Sequence, residues 1–129
     1  MLAEADVRSV RAADAYRSRD VHLKSVASGC RFVERAVATA LGVEPESLRR
    51  PGRGSAEQAR ARQTAMYLTH VVLGLSLSQV GGQFGRDRTT VSHACSRIED
   101  QREDPKFERM IGCLEAALHH WQLCSERSE

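Results

Sequence analysis

At 129 residues the chain can bury one modest core, and with 41% hydrophobic, 28% charged and only 5% aromatic side chains, Leu, Val, Ala and Met must fill it. No apolar run approaches the ~20 residues that cross a bilayer, and residues 1–20 alternate acids and arginines where a signal segment would be apolar. A cytoplasmic, nucleoid-associated location without membrane contact is therefore expected, and the net charge of +2 excludes a generally sticky polycation.

In chain order, residues 1–24 read as a polar helix or flexible extension with few apolar anchors, and as the element left over for a homodimer. From Ser28, the apolar residues Phe32, Val33, Ala36, Val37, Ala40 and Leu41 recur at helical spacing until Gly42 stops them. Pro45 favours one further turn over Glu46–Leu48. Pro51, Gly52 and Gly54 break the stretch RRPGRG. Ser55 and Gln58 have the spacing of a capping box, opening a helix carried by Ala59, Met66, Leu68, Val72 and Leu73. Ser76 caps a short helix with Leu77, Val80, Gly81 and Phe84 inward, and Gly85 turns the chain. Asp87 caps the next helix, whose stripe is Val91, Ala94, Cys95 and Ile98. Asp104–Pro105 starts a last amphipathic helix with Phe107, Ile111, Leu114, Ala117, Leu118 and Trp121 inward, followed by a disordered tail at 125–129. No stretch alternates with period two, so the fold class is all-α.

Cys30, Cys95, Cys113 and Cys124 are too scattered for a disulfide framework or a zinc knuckle and read as reduced, mostly buried thiols. His119 and His120 with Cys124 make a poor ligand set, because adjacent helical residues diverge by about 100°. No metal, no cofactor and no catalytic residue is expected: the chain shows no Ser-His-Asp set or carboxylate pair, and Cys95 falls on the core stripe, away from His93.

The charge is segregated. Residues 1–48 balance, residues 49–97 hold eight arginines against Glu57 and Asp87, and residues 98–129 carry an excess of four acids. A positive middle segment points to a local polyanion-binding face. Within it, LSLSQVGGQFGRDRTTVSHACSRI has the proportions of a helix-turn-helix, with Gly85–Arg97 carrying the recognition helix. The outward residues Arg88, Thr89, Thr90, Ser92, His93, Ser96 and Arg97 are mostly short and hydrogen-bonding, as base-edge readers must be.

ARQTAMYL, LSLSQVGGQFGRD and GRDRTTVSHA stand in this order at matching separations within residues 61–94, and the likeness they carry covers about residues 28–120. In this the chain resembles the C-terminal DNA-binding domain of the bacterial replication initiator DnaA. The resemblance implies a helical bundle with a Trp-repressor-like helix-turn-helix over residues 25–124, binding double-stranded DNA through both grooves. By position it places Asp87, Arg88, Thr89, Thr90 and His93 at base edges. It places Arg62 and Gln63 on the phosphate backbone, with Ser76, Ser78, Arg86 and Arg97 as further backbone contacts. Arg49, Arg50 and Arg53 would form the basic loop at the minor groove. Two departures stand out: Arg88 replaces a family histidine, and the loop carries fewer basic residues than the family pattern. The chain also shows no GxxxxGK[ST] loop, so no nucleotide partner and no AAA+ module are expected. The expected role is a transcriptional regulator or modulator at sites related to DnaA boxes. The alternative is an interaction module that keeps the fold and docks on a replication or transcription partner, favoured by the acidic tail (Glu99, Asp100, Glu103, Asp104, Glu108) and the N-terminal helix.

Overall fold

Ser55 opens the helix around which the rest is built. Its hydroxyl accepts from the Gln58 amide at 3.1 Å, while the Gln58 side chain accepts from the Ser55 amide at 3.0 Å, the reciprocal box that the spacing predicts. Gly54 precedes it at φ +72°, and a Cβ there would run into the Gln58 amide oxygen.

The structure is a computed structural model and describes residues 26–127. Helix α1 occupies residues 26–41 and is followed by a 3-10 turn, η1 (Pro45–Arg49). Then come α2 (Ala56–Val71), α3 (Leu77–Phe84), α4 (Arg88–Gln101) and α5 (Pro105–Arg127). All the described elements are helical, and α2 packs against η1, α3 and α4.

Helix α2 is enclosed on nearly every side. Ala59, Ala61, Ala65, Met66, Tyr67 and Leu68 are buried, the small residues letting neighbouring helices approach. Thr64 and Thr69 are buried without orphaned hydroxyls, because they donate to the Arg60 and Ala65 carbonyls one turn back at 2.8 and 2.7 Å. Around it the core is closed by Val33 and Val37 of α1, Leu48 of η1, Val80 and Phe84 of α3, Val91 and Ile98 of α4, and Ile111 and Leu118 of α5. Each such burial stabilises by ~1.5–3 kcal/mol before chain entropy is counted.

The turn from α4 into α5 is clamped by Arg102. Its Nε and Nη2 donate to the two Glu108 carboxylate oxygens at 2.6 and 2.8 Å, and Nη1 donates to the Tyr67 hydroxyl at 2.9 Å. That hydroxyl donates in turn to Glu99 at 2.7 Å, and Glu115 Oε1 lies 2.8 Å from Nη2, off the hydrogen-bonding axis. One guanidinium thereby joins α2, α4 and α5. Further along α5, Trp121 stacks on Phe32 of α1 with ring centroids 5.4 Å apart.

Several expectations are corrected. Ala40 and Ala117 are exposed, lying at the edges of their apolar stripes, and Cys95 is only half-buried. Of the thiols only Cys30 is buried, while Cys113 and Cys124 sit on the outward side of α5, where Cys124 Sγ is 3.6 Å from His120 Nε2. Helix α5 runs on to Arg127 instead of ending at 124, since no Gly or Pro intervenes after Trp121. Asp87 stands at the N-cap of α4 but its side chain makes no capping bond. The expected N-terminal helix or extension at 1–24 and a homodimer through it lie outside the described residues. No described helix is long and apolar enough to cross a membrane.

Candidate nucleic-acid interface

The positive face is built from the turn between α3 and α4. Gly85 ends α3 at φ +63°, and the Arg86 amide donates back to the Gly81 carbonyl at 2.9 Å. The chain returns so closely over α3 that a Cβ on Gly81 would strike the Arg86 carbonyl oxygen. Glycine at 81 is thus a condition of the turn. Helix α4 then buries Val91, Ala94 and Ile98 and leaves Asp87, Arg88, Thr89, Thr90, Ser92, His93, Ser96 and Arg97 exposed. The base-edge candidates all stand on this outward side or at its N-terminus.

Beside α4 runs a groove of about 450 Å³, lined by Gly52, Arg53, Arg62, Gln63, Arg86, Thr90, His93 and Arg97 among others, with no carboxylate in the lining. A smaller hollow of about 190 Å³ continues it past Arg53, Arg60, Gln63, Arg97 and Gln101. Arg60 was not anticipated. Its guanidinium lies over the Phe107 ring at 4.8 Å, a contact between α2 and α5 that local sequence does not announce. Its spacing to Gln63, one turn along α2, is the only signal that could have raised it.

The remaining expected residues are distributed unevenly. Arg62 is only 5% exposed, with Nε on the Leu48 carbonyl at 3.0 Å and Nη1 on the Arg53 carbonyl at 3.1 Å. Burial, helped by the nearby charge of Arg86, holds it below the usual guanidinium range. Arg86 is half-buried and turns back onto the loop: Nη1 meets the Phe84 carbonyl at 2.8 Å, and Nη2 meets those of Arg50 and Gly52 at 2.8 and 2.7 Å. Arg50 and Arg53 are exposed. Arg49 faces a separate hollow with Arg31, Arg35 and Gln83 and is paired with the buried Glu34, its Nη2 3.2 Å from Oε2. That hydrogen bond, outweighing desolvation, raises the Arg49 pKa. Ser76 and Ser78 are exposed at the start of α3 but do not line the groove, and the Ser76 hydroxyl accepts from the Gln79 amide.

The family description "Bacterial dnaA protein helix-turn-helix" matches residues 30–98, from within α1 to the buried Ile98 of α4. The chain belongs to the bacterial DnaA helix-turn-helix family. It is a DnaA C-terminal-like, DNA-binding helix-turn-helix domain. It is 35% identical over 85 residues to the chromosomal replication initiator protein DnaA of Thermodesulfovibrio yellowstonii, covering 64% of this chain and 19% of that protein. The corresponding protein of Deinococcus radiodurans is 37% identical over 83 residues, covering 64% and 18%. That of Laribacter hongkongensis is 43% identical over 68 residues, covering 51% and 14%. The chain thus spans about a fifth or less of the curated DnaA relatives it matches. The family description itself stops at residue 98, short of α5, whose Phe107 supports Arg60 at the groove edge.

Proposed function

We propose that this chain is a sequence-specific double-stranded DNA-binding protein that lays α4 in the major groove and regulates transcription or modulates replication at sites related to DnaA boxes. The observation that carries the reading is the juxtaposition of an outward α4 face with the carboxylate-free arginine groove. Asp87, Arg88, Thr89, Thr90 and His93 read base edges; Gln63 and Arg97 on the groove walls contact phosphates. Arg50 and Arg53 of the loop approach the adjacent minor groove. The free side chain of Asp87 suits an acceptor for a cytosine amino group, since it is not used in capping.

Selection of bound duplexes from a random library tests this. The expected result is one preferred site of about ten base pairs, a helical turn of duplex. Affinity independent of sequence, or lost altogether at about 100 mM salt, refutes it.

A further inference from the structure

Two arginines in the interface spend their donors on the protein's own backbone, and both act on the same loop. Arg86 takes the carbonyls of Arg50 and Gly52 across a sequence separation of 36 and 34 residues, and also that of Phe84 at the end of α3. Arg62 takes the carbonyls of Leu48 and Arg53 from beneath. The loop has few other means of holding its shape. Pro51 has no amide proton, Gly52 and Gly54 sit at φ +81° and +72°, and Arg50 is extended at φ −62°, ψ 142°, as a residue before proline must be. Neither arginine has a carboxylate partner among the described residues, so a bond to main-chain oxygen is what each guanidinium has in place of an ion pair.

We infer that Arg86, with Arg62 beneath it, is a positioning residue that fixes the loop 50–54 against the α3–α4 turn before any ligand arrives. The planar fork suits this: one guanidinium spans three carbonyls, which an ammonium on a flexible stem does not do. Because Arg86 immediately precedes Asp87 and Arg88, the loop and the recognition helix are held in one register. Readout in the two grooves is therefore coupled through a side chain that contacts neither set of bases. This coupling rests on the DNA-binding reading above; the loop clamp itself does not.

The test begins without DNA. In the unsubstituted protein, the Arg86 Nη protons should give separate, slowly exchanging NMR resonances, unlike those of the exposed Arg88. A single averaged resonance for Arg86 overturns the inference. Arg86→Lys keeps the charge and most of the length but not the fork. It should raise tryptic cleavage at Arg53–Gly54 at least about fivefold over the parent, with Arg88→Ala as an unchanged control. An unchanged cleavage rate overturns it likewise. With DNA, Arg86→Lys should flatten base preference at the pairs beneath the loop by about fivefold or more and keep it beneath α4. If Arg86→Lys instead keeps full preference and only Arg86→Ala lowers the salt slope by about one, Arg86 is a phosphate anchor and the inference fails. A loosened loop in a protein that shows no site preference would support the clamp and refute the DNA-site reading.

Discussion

Arg88 occupies the first position of α4 with its side chain exposed and no intramolecular partner among the described residues. If α4 lies in the major groove as proposed, this long, unanchored guanidinium is free to fork onto guanine O6 and N7. Arg88→Ala is expected to cost about 1–3 kcal/mol at one base position and to leave other positions unchanged, measured by competition binding across single-base variants of the selected site. Equal weakening at every position would make it a phosphate contact instead. At this scale the sequence was readable for α4, because period 3.6 separates Val91, Ala94 and Ile98 from Thr90, His93 and Arg97 without knowledge of the rest. It was not readable for Arg62. The partners of that side chain are carbonyls 9 and 14 residues away, and a backbone oxygen leaves no residue-type signature.

Between elements, the angle of α4 on α3 depends on Gly81. Gly81→Ala forces the Arg86 carbonyl outward, and urea unfolding is expected to show a loss of about 1–3 kcal/mol, as overpacking against backbone does. Gly82→Ala, where a Cβ meets nothing within 4 Å, should be nearly neutral. The attachment of α5 depends on the Arg102 network, which gives stability a defined pH window. The bond from Arg102, chief among its influences, holds the Glu108 carboxyl below the usual carboxylate range. Its contribution is present above the unfolded carboxylate value and is lost as pH falls through the lowered one. Burial first, then the bond to Glu99, pushes the Tyr67 phenol above its ordinary value of 10.0. Its contribution is complete below that value and is lost as pH rises through the raised one. Thermal melts against pH should accordingly lose the alkaline limb in Tyr67→Phe and flatten the acid limb in Glu108→Gln. At neutral pH Tyr67→Phe should cost about 1–2 kcal/mol. A limb that persists in its variant assigns that titration elsewhere. The capping box at Ser55, the cap at Ser76 and the glycine stop of α3 were legible from local spacing. The joining of three helices by Arg102 was not, because Tyr67 and Glu99 lie 35 and 3 residues away and meet only once the bundle has closed.

Across the whole molecule, the arginine-rich segment 49–97 folds into one wall-and-floor arrangement instead of a diffuse positive surface. Arg53, Arg60 and Arg97 edge the groove, Arg62 and Arg86 lie within it, and Arg49 is drawn away by Glu34. Charge counting foresaw the polarity but not this division between cations that serve the protein and cations left for a ligand. The consequence is measurable in the salt dependence. If each free groove arginine neutralises one phosphate, log K against log salt steepens by about 0.9 for each. Arg97→Ala should lower the slope by about one while keeping the preferred site, and Arg49→Ala should leave the slope unchanged. A reduced slope in Arg49→Ala would return that residue to the interface.

The stacked pair Phe32–Trp121 joins α1 to a stretch of α5 that does not line the groove. Trp121 is also the sole tryptophan of the chain. Its emission is therefore an intrinsic optical gauge of one event, the peeling of α5 from α1. Denaturation should shift that emission sharply to the red, and a saturating duplex should leave its wavelength where it was.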